Sequence, residues 1–162
     1  MSARTLRGFT LIELLITISI TAFLLAVSTP LITDWVYSAQ TRDARGKLVQ
    51  AFGTAKALAL RNAAGVTAKD PAAGLKVVTD GTDNVVLVCL NSTTMPACSI
   101  GGVNLKWSAK YNGAVTTQIK GITNSANTPL LIDLDNRGQP LAGTNFVLSR
   151  GGGANNETGI LY

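Results

Sequence analysis

Three sets of residues in this chain could do chemistry: a glycine-aromatic junction near the start, a close pair of cysteines, and a few paired carboxylates. The junction lies in Gly8-Phe9-Thr10-Leu11-Ile12-Glu13. The only plausible cut, between Gly8 and Phe9, lies before an apolar run rather than after it. An ordinary secretory signal is cut behind its apolar core, which is then discarded. Cutting here would remove only residues 1–8, expose a new amine on Phe9, and leave the Glu13 carboxylate in the first turn of whatever helix follows. Cys89 and Cys98 are the only cysteines and histidine is absent. Ser-His-Asp and Cys-His nucleophiles are therefore excluded, as is a histidine metal site. The carboxylate pairs Asp80/Asp83 and Asp133/Asp135 flank turns, where aspartate is favoured for backbone reasons. Asp133-Leu134-Asp135-Asn136-Arg137-Gly138 opens like a calcium loop, but Arg137 stands at a ligand position and no bidentate glutamate follows. The loop reads as an ordinary turn. No enzyme, metal or cofactor is expected.

The elements that must carry these residues are legible from hydropathy. Residues 9–33 contain one charge, Glu13, and exceed the roughly 20 apolar residues that cross a bilayer. Arg4 and Arg7 ahead of the span place the leader in the cytoplasm by the positive-inside rule, and everything after Asp34 in the periplasm. A carboxylate deep in an apolar span costs about 2.5–3.5 kcal/mol and needs a partner, whereas one in the first helical turn is favoured by the dipole. Thr10, Thr17, Ser19, Thr21, Ser28, Thr29 and Thr33 are tolerable because their hydroxyls can bond back to the preceding turn or across to another helix. Pro30 removes an intrahelical bond and is expected to kink or loosen the helix.

Beyond the span, residues 34–62 continue as an amphipathic helix. Trp35, Val36 and Tyr37 stand where an interfacial belt belongs. Ala44, Leu48, Phe52, Ala55 and Ala59 form a stripe at spacings of three and four. Gly46 and Gly53 each cost about 1 kcal/mol against alanine in a helix interior, so packing must hold this half. With Asn62 to Gly65 as the stop, the helix would measure on the order of 80 Å. From residue 63 the texture changes to short β-branched runs between turn residues. Seven strands are expected, at 75–80, 85–90, 103–107, 115–122, 130–135, 145–150 and 160–162, with turns at Asp80-Gly81-Thr82-Asp83 and Asn136-Arg137-Gly138-Gln139. They would make a small sandwich-like or two-sheet head folded on the apolar stripe. In an oxidising periplasm, Cys89 and Cys98 read as a disulfide; the alternative is two unlinked buried thiols.

The Gly8–Phe9 junction, the Thr10-Leu11-Ile12-Glu13-Leu14-Leu15 run, the apolar helix and Pro30 resemble type IV pilins and type II secretion pseudopilins. The helix end Ala55-Lys56-Ala57-Leu58-Ala59-Leu60-Arg61-Asn62, the strands and the Asp-Asn-Arg-Gly turn look like the FimT/FimU minor pilin and pseudopilin H group. The resemblance is close over the N-terminal third and loose over the head. It implies an α+β pilin fold, a long N-terminal helix on a small antiparallel β head. It also implies cleavage after Gly8 by prepilin peptidase and N-methylation of Phe9. Glu13 would neutralise the Phe9 amine of a neighbouring subunit, and the helix would bend at Pro30 in the fibre. The implied partners are other major and minor pilins and an inner-membrane assembly platform. The implied location is the bacterial inner membrane, single-pass with a periplasmic head, then a surface fibre.

Charge bears on the alternatives within that group. The formal charge of +5 falls to +3 once Arg4 and Arg7 leave. Residues 42–61 hold five basic side chains against Asp43, and the head from 63 onward seven against six acids. A nucleic-acid-binding head should show a basic patch. Some FimT-like proteins bind DNA through a C-terminal Gly-Arg-x-Arg, but this chain reads Thr158-Gly159-Ile160-Leu161-Tyr162 there. Arg150, Lys106, Lys110 and Lys120 are the only fallback contacts, so nucleic acid is not the expected partner. The expected role is a minor pilin that primes and joins a type IV pilus. A type II secretion minor pseudopilin and a DNA-binding minor pilin for transformation are the alternatives.

Overall fold

A computed structural model describes residues 8–93, 98–125, 127–151 and 156–162, with the side chains of 29–31 left aside. The leader arginines Arg4 and Arg7 and the Pro30 side chain thus lie outside the described residues. Among the described residues, one helix, α1 (Leu11–Arg61), is followed by eight strands. The chain divides into two compact units, Met1–Val36 and Tyr37–Tyr162.

Among the described residues, the first unit is helix from Leu11 onward and buries no side chain. Its best 18-residue window has a mean hydropathy of 2.3 and none of it is buried, so it is long and apolar enough to cross a membrane. Its hydroxyls do what an apolar medium demands. Thr17 Oγ1 donates to Leu14 O, Ser19 Oγ to Leu15 O, Thr21 Oγ1 to Thr17 O and Ser28 Oγ to Leu25 O, so these polar groups find partners on their own helix. Position 30 is helical.

The second unit begins with the rest of α1. Ala44, Leu48, Phe52, Ala55 and Ala59 are all buried, joined by Thr41 and Ala51. Asn62 ends the helix in a left-handed turn at φ 42°, the conformation asparagine tolerates at a helix C-terminus. Its side chain then exchanges bonds with Val66, accepting from Val66 N and donating to Val66 O.

The strands form two antiparallel sheets. β1 (Ala73–Asp80), β2 (Asp83–Leu90), β3 (Leu105–Asn112) and β6 (Leu130–Leu134) make the first, in the order β3-β2-β1-β6. β4 (Thr116–Ile119), β5 (Ile122–Thr123), β7 (Asn145–Ser149) and β8 (Glu157–Ile160) make the second, in the order β5-β4-β7-β8. One core joins the helix stripe to Leu75, Val77, Val86, Val88, Ile132 and Leu134 of the first sheet. Ile119, Phe146 and Leu148 of the second complete it. This is a type IV pilin-like α+β architecture, as expected.

Three strands depart from the sequence reading by more than two residues or in number, and the others agree to within two. The run at 103–107 becomes β3, Leu105–Asn112, because β2 offers partners as far as Asn112 after a register shift at Val88/Cys89. Lys106, Ser108 and Lys110 are its outward alternates, and apolar runs alone conceal such a strand. The run at 115–122 breaks into β4 and β5 at Lys120 and Gly121, with φ of 54° and 77°, the paired positive values of a tight hairpin turn. The last strand lies at 157–160 rather than 160–162.

β2 is buried on both faces. Val86 and Val88 face the main core, while Val85, Leu87 and Cys89 form a second cluster with Cys98, Val78 and Leu105. Cys89 and Cys98 are bonded, with Cα atoms 5.7 Å apart. Lys76 Nζ donates to Cys98 O, fastening the same loop to β1. Cys89→Ser with Cys98→Ser should lower unfolding free energy by about 2.5 kcal/mol from loop closure alone. A urea midpoint on the full chain in detergent, oxidised against double mutant, measures it.

Tyr111 ties the sheets together. Its hydroxyl lies 2.6 Å from Thr117 Oγ1 in a buried pair. Burial pushes the phenol up to about 12, against a smaller opposing effect of the Thr117 hydrogen bond. A group whose folded pKa lies above its unfolded value stabilises fully below the unfolded value and loses that contribution as pH rises through the folded one. Stability should therefore fall by about 2–3 kcal/mol between pH 10 and 12, and Tyr111→Phe should flatten this slope. Urea midpoints at stepped pH test it.

Candidate functional site

The N-terminal motif folds into a reciprocal cap. Thr10 N–H and Thr10 Oγ1 both donate to Glu13 Oε2 at 2.9 Å, and Glu13 N–H donates to Thr10 Oγ1 at 3.3 Å. A threonine followed three residues later by glutamate is the capping box, which satisfies otherwise orphaned amides of the first turn. Glu13 Oε1 takes no part in it. The sequence reading left Thr10 as one more hydroxyl in the span, although the Thr-x-x-Glu spacing carries the signal. Gly8 and Phe9 lie just ahead of the cap, exposed and outside the helix. A carboxylate locked to its own helix by one oxygen can still accept an ammonium group on the other.

Among the described residues, the head has no comparable convergence of reactive groups. Asp133 Oδ1 accepts from Thr93 N (2.9 Å) and Thr93 Oγ1 (2.8 Å), and Oδ2 from Ser92 Oγ (3.4 Å). Asp135 Oδ1 accepts from the Arg137 and Gln139 amides. Both carboxylates of the supposed calcium loop thus serve the backbone and the disulfide segment. Among the described residues, no three His, Cys, Asp or Glu side chains are grouped to hold a metal ion. Gly138 in this turn has φ 70°, and a Cβ there would lie 2.9 Å from Lys56 Cγ on the helix. Asn136 Nδ2 donates to Val66 O. The Asp-Asn-Arg-Gly turn is a fastening between head and helix.

The four fallback cations fall on three elements of two sheets. Lys106 and Lys110 share the outer side of edge strand β3, and Lys110 Nζ bonds Asp80 Oδ2 at 2.8 Å. That hydrogen bond, then the charges of Asp80 and Asp83, holds the Lys110 ammonium above the usual lysine range. Lys120 sits in the β4–β5 turn. Arg150 does not project outward: its guanidinium carbon lies 4.9 Å from the centre of the Tyr37 ring. Arg42 and Arg45 both approach Glu157 of β8, at 3.8 and 3.7 Å, in loose exposed pairs of small energetic weight.

Residues 4–29 match the family model for the prokaryotic N-terminal methylation motif. No curated protein and no solved structure matches the chain. The motif occupies the junction and capped helix just described, on a chain whose long apolar helix continues into an antiparallel β head. The architecture that carries the motif is type IV pilin-like.

Proposed function

We propose that this chain is a minor pilin, cut after Gly8 by prepilin peptidase, methylated on Phe9, and carried at low copy in a type IV pilus whose assembly it helps to prime. The observation that supports this most is the pairing of an N-terminal methylation motif with a helix whose apolar first half has a stretch long enough to cross a membrane and unburied by the rest of the chain. Such a surface is stable in lipid, or covered by the helices of other subunits, and unstable in water. The division of labour follows residue by residue: 1–8 as leader, 9–33 as membrane and assembly half, 34–62 as amphipathic half, 63–162 as head. Glu13, held in its cap through Oε2, offers Oε1 to the Phe9 amine of a neighbour. Pro30 gives the helix a place to bend when it leaves the bilayer. The head supplies contacts to particular pilin partners and to the inner-membrane assembly platform.

A pseudopilin of type II secretion would use the same processing and the same helix. Deleting the gene separates the two: loss of surface fibres and surface motility with secretion intact fits the minor pilin. Normal fibres with exported proteins held in the periplasm would instead assign the chain to secretion. A DNA receptor has less support, because Lys110 is paired with Asp80 and the four candidate cations lie on three elements of two sheets rather than in one basic patch.

A further inference from the structure

The chain has one Asn-Gly step, Asn112-Gly113, and the fold places it where the two residues can react with each other. Asn112 is exposed and closes β3, opposite Asp83 of β2. Gly113 stands just past the ladder, in the turn that Val115 N–H closes on Asn112 O at 3.0 Å. Ring closure between them would therefore distort a turn rather than the sheet. The Asn112 side chain folds forward over this turn, its Oδ1 accepting from Ala114 N–H at 2.9 Å, in the way asparagine bonds its own backbone two residues on. That bond spans the Gly113 amide and keeps the carboxamide over it, and proximity of this kind makes a weak nucleophile effective. Its donor would also stabilise the charge that gathers on Oδ1 during attack. Packing fixes the glycine: a Cβ at 113 would collide with the Thr82 carbonyl. No side chain then shields the 113 nitrogen.

We propose that Asn112 is a self-modifying site whose side-chain amide is displaced by the Gly113 nitrogen. Hydroxide takes the Gly113 amide proton, the nitrogen attacks Asn112 Cγ, and the Cγ–Nδ2 bond breaks. Ammonia leaves, taking a proton from water and returning hydroxide. The product is a five-membered succinimide, and water then adds to either ring carbonyl. Cleavage at Cγ restores the main chain with aspartate at 112. Cleavage at the main-chain carbonyl leaves isoaspartate, with the chain rerouted through Cβ and Cγ. Either product places a carboxylate across from Asp83, and like charges directly opposite in an antiparallel pair destabilise it. The cations lining the same cavity as Asn112 and Asp83 are already engaged, Lys47 with Asp43 and Lys110 with Asp80. The modification therefore marks the age of a subunit and loosens the adjoining ends of β2 and β3. It does not depend on which fibre system uses the chain.

The test is peptide mapping of the full chain aged in detergent at neutral and mildly alkaline pH, native or unfolded in urea, then digested at mildly acidic pH. The tryptic peptide Tyr111–Lys120 contains no other asparagine, so a mass gain placed at 112 by fragmentation reports this residue. In the native chain, acid at 112 should accumulate at least about tenfold faster than at Asn145, which is exposed but followed by Phe146. The rate should rise with hydroxide, and isoaspartate should appear beside aspartate. Aspartate alone would mean simple amide hydrolysis and would overturn ring closure. Acid that forms only after unfolding would mean that the native turn protects Asn112, and would overturn the proposal equally. Asn112→Asp supplies the charge without ageing. Its urea midpoint should fall below wild type and recover in high salt, which screens exposed charges. A midpoint unchanged from wild type would contradict the loosening.

Discussion

Glu13→Ala should drop the chain out of surface fibres by thirtyfold or more, and Glu13→Gln should do nearly as badly. The reasoning separates two jobs that one carboxylate performs. Within its own helix Glu13 completes a cap with Thr10, and removing a cap costs about 1 kcal/mol. Glutamine fills the same cap position, so Glu13→Gln keeps most of that contribution. Between subunits the negative charge would meet a neighbour's Phe9 ammonium in apolar surroundings, where truncating one partner costs about 2–5 kcal/mol, equivalent to a thirtyfold or greater loss. Quantitative immunoblots of sheared fibres against membranes read the difference. Wild-type fibre content in Glu13→Gln would reduce Glu13 to a cap and remove the charge pairing from the mechanism.

Gly74→Val should be the most damaging single substitution in the head. Gly74 lies in β1 between β2 and β6, paired with Cys89 on one side and Asp133 on the other. A Cβ there would lie 2.5 Å from Thr93 Cγ2, 2.6 Å from Asp133 Oδ1 and 2.9 Å from Ile132 O. The last is backbone of the neighbouring strand and cannot swing aside. Overpacking of this kind costs about 1–3 kcal/mol or more. Displacing Asp133 also loosens a charge-assisted hydrogen bond to Thr93, of about 1.5–3 kcal/mol. Together these consume much of a typical domain's 5–15 kcal/mol. Gly46→Ala and Gly53→Ala provide the contrast. Nothing lies within 4 Å of a Cβ at either position, and alanine should stabilise the helix by about 1 kcal/mol each. Urea midpoints of the full chain in detergent should move in opposite directions. A Gly74→Val chain as stable as wild type would contradict the packing described for β1.

Much of this was open to reading because it is local. The stripe from Ala44 to Ala59 follows the helical period, and every residue named in it is buried. The capping box is a four-residue pattern. The turn at Gly81-Thr82 lies between strands whose register starts at Asp80 and Asp83. What stayed hidden depends on contacts far apart in sequence. Nothing near Asp133 announces that its carboxylate receives Thr93, 40 positions away. Arg150 looks like a free surface cation until Tyr37 is placed under it. β3 escaped because Lys106 and Lys110 alternate with half-buried residues, as on an edge strand protected from further pairing. The β4–β5 break at Lys120-Gly121 was missed because a lysine at positive φ is uncommon.

The most direct measurement is mass spectrometry of fibres sheared from the cell surface, with membranes analysed in parallel. The expected result is a peptide beginning at N-methylated Phe9, present in the fibres far below the abundance of the major subunit. An uncleaved Met1 terminus in both fractions would contradict the account at its root.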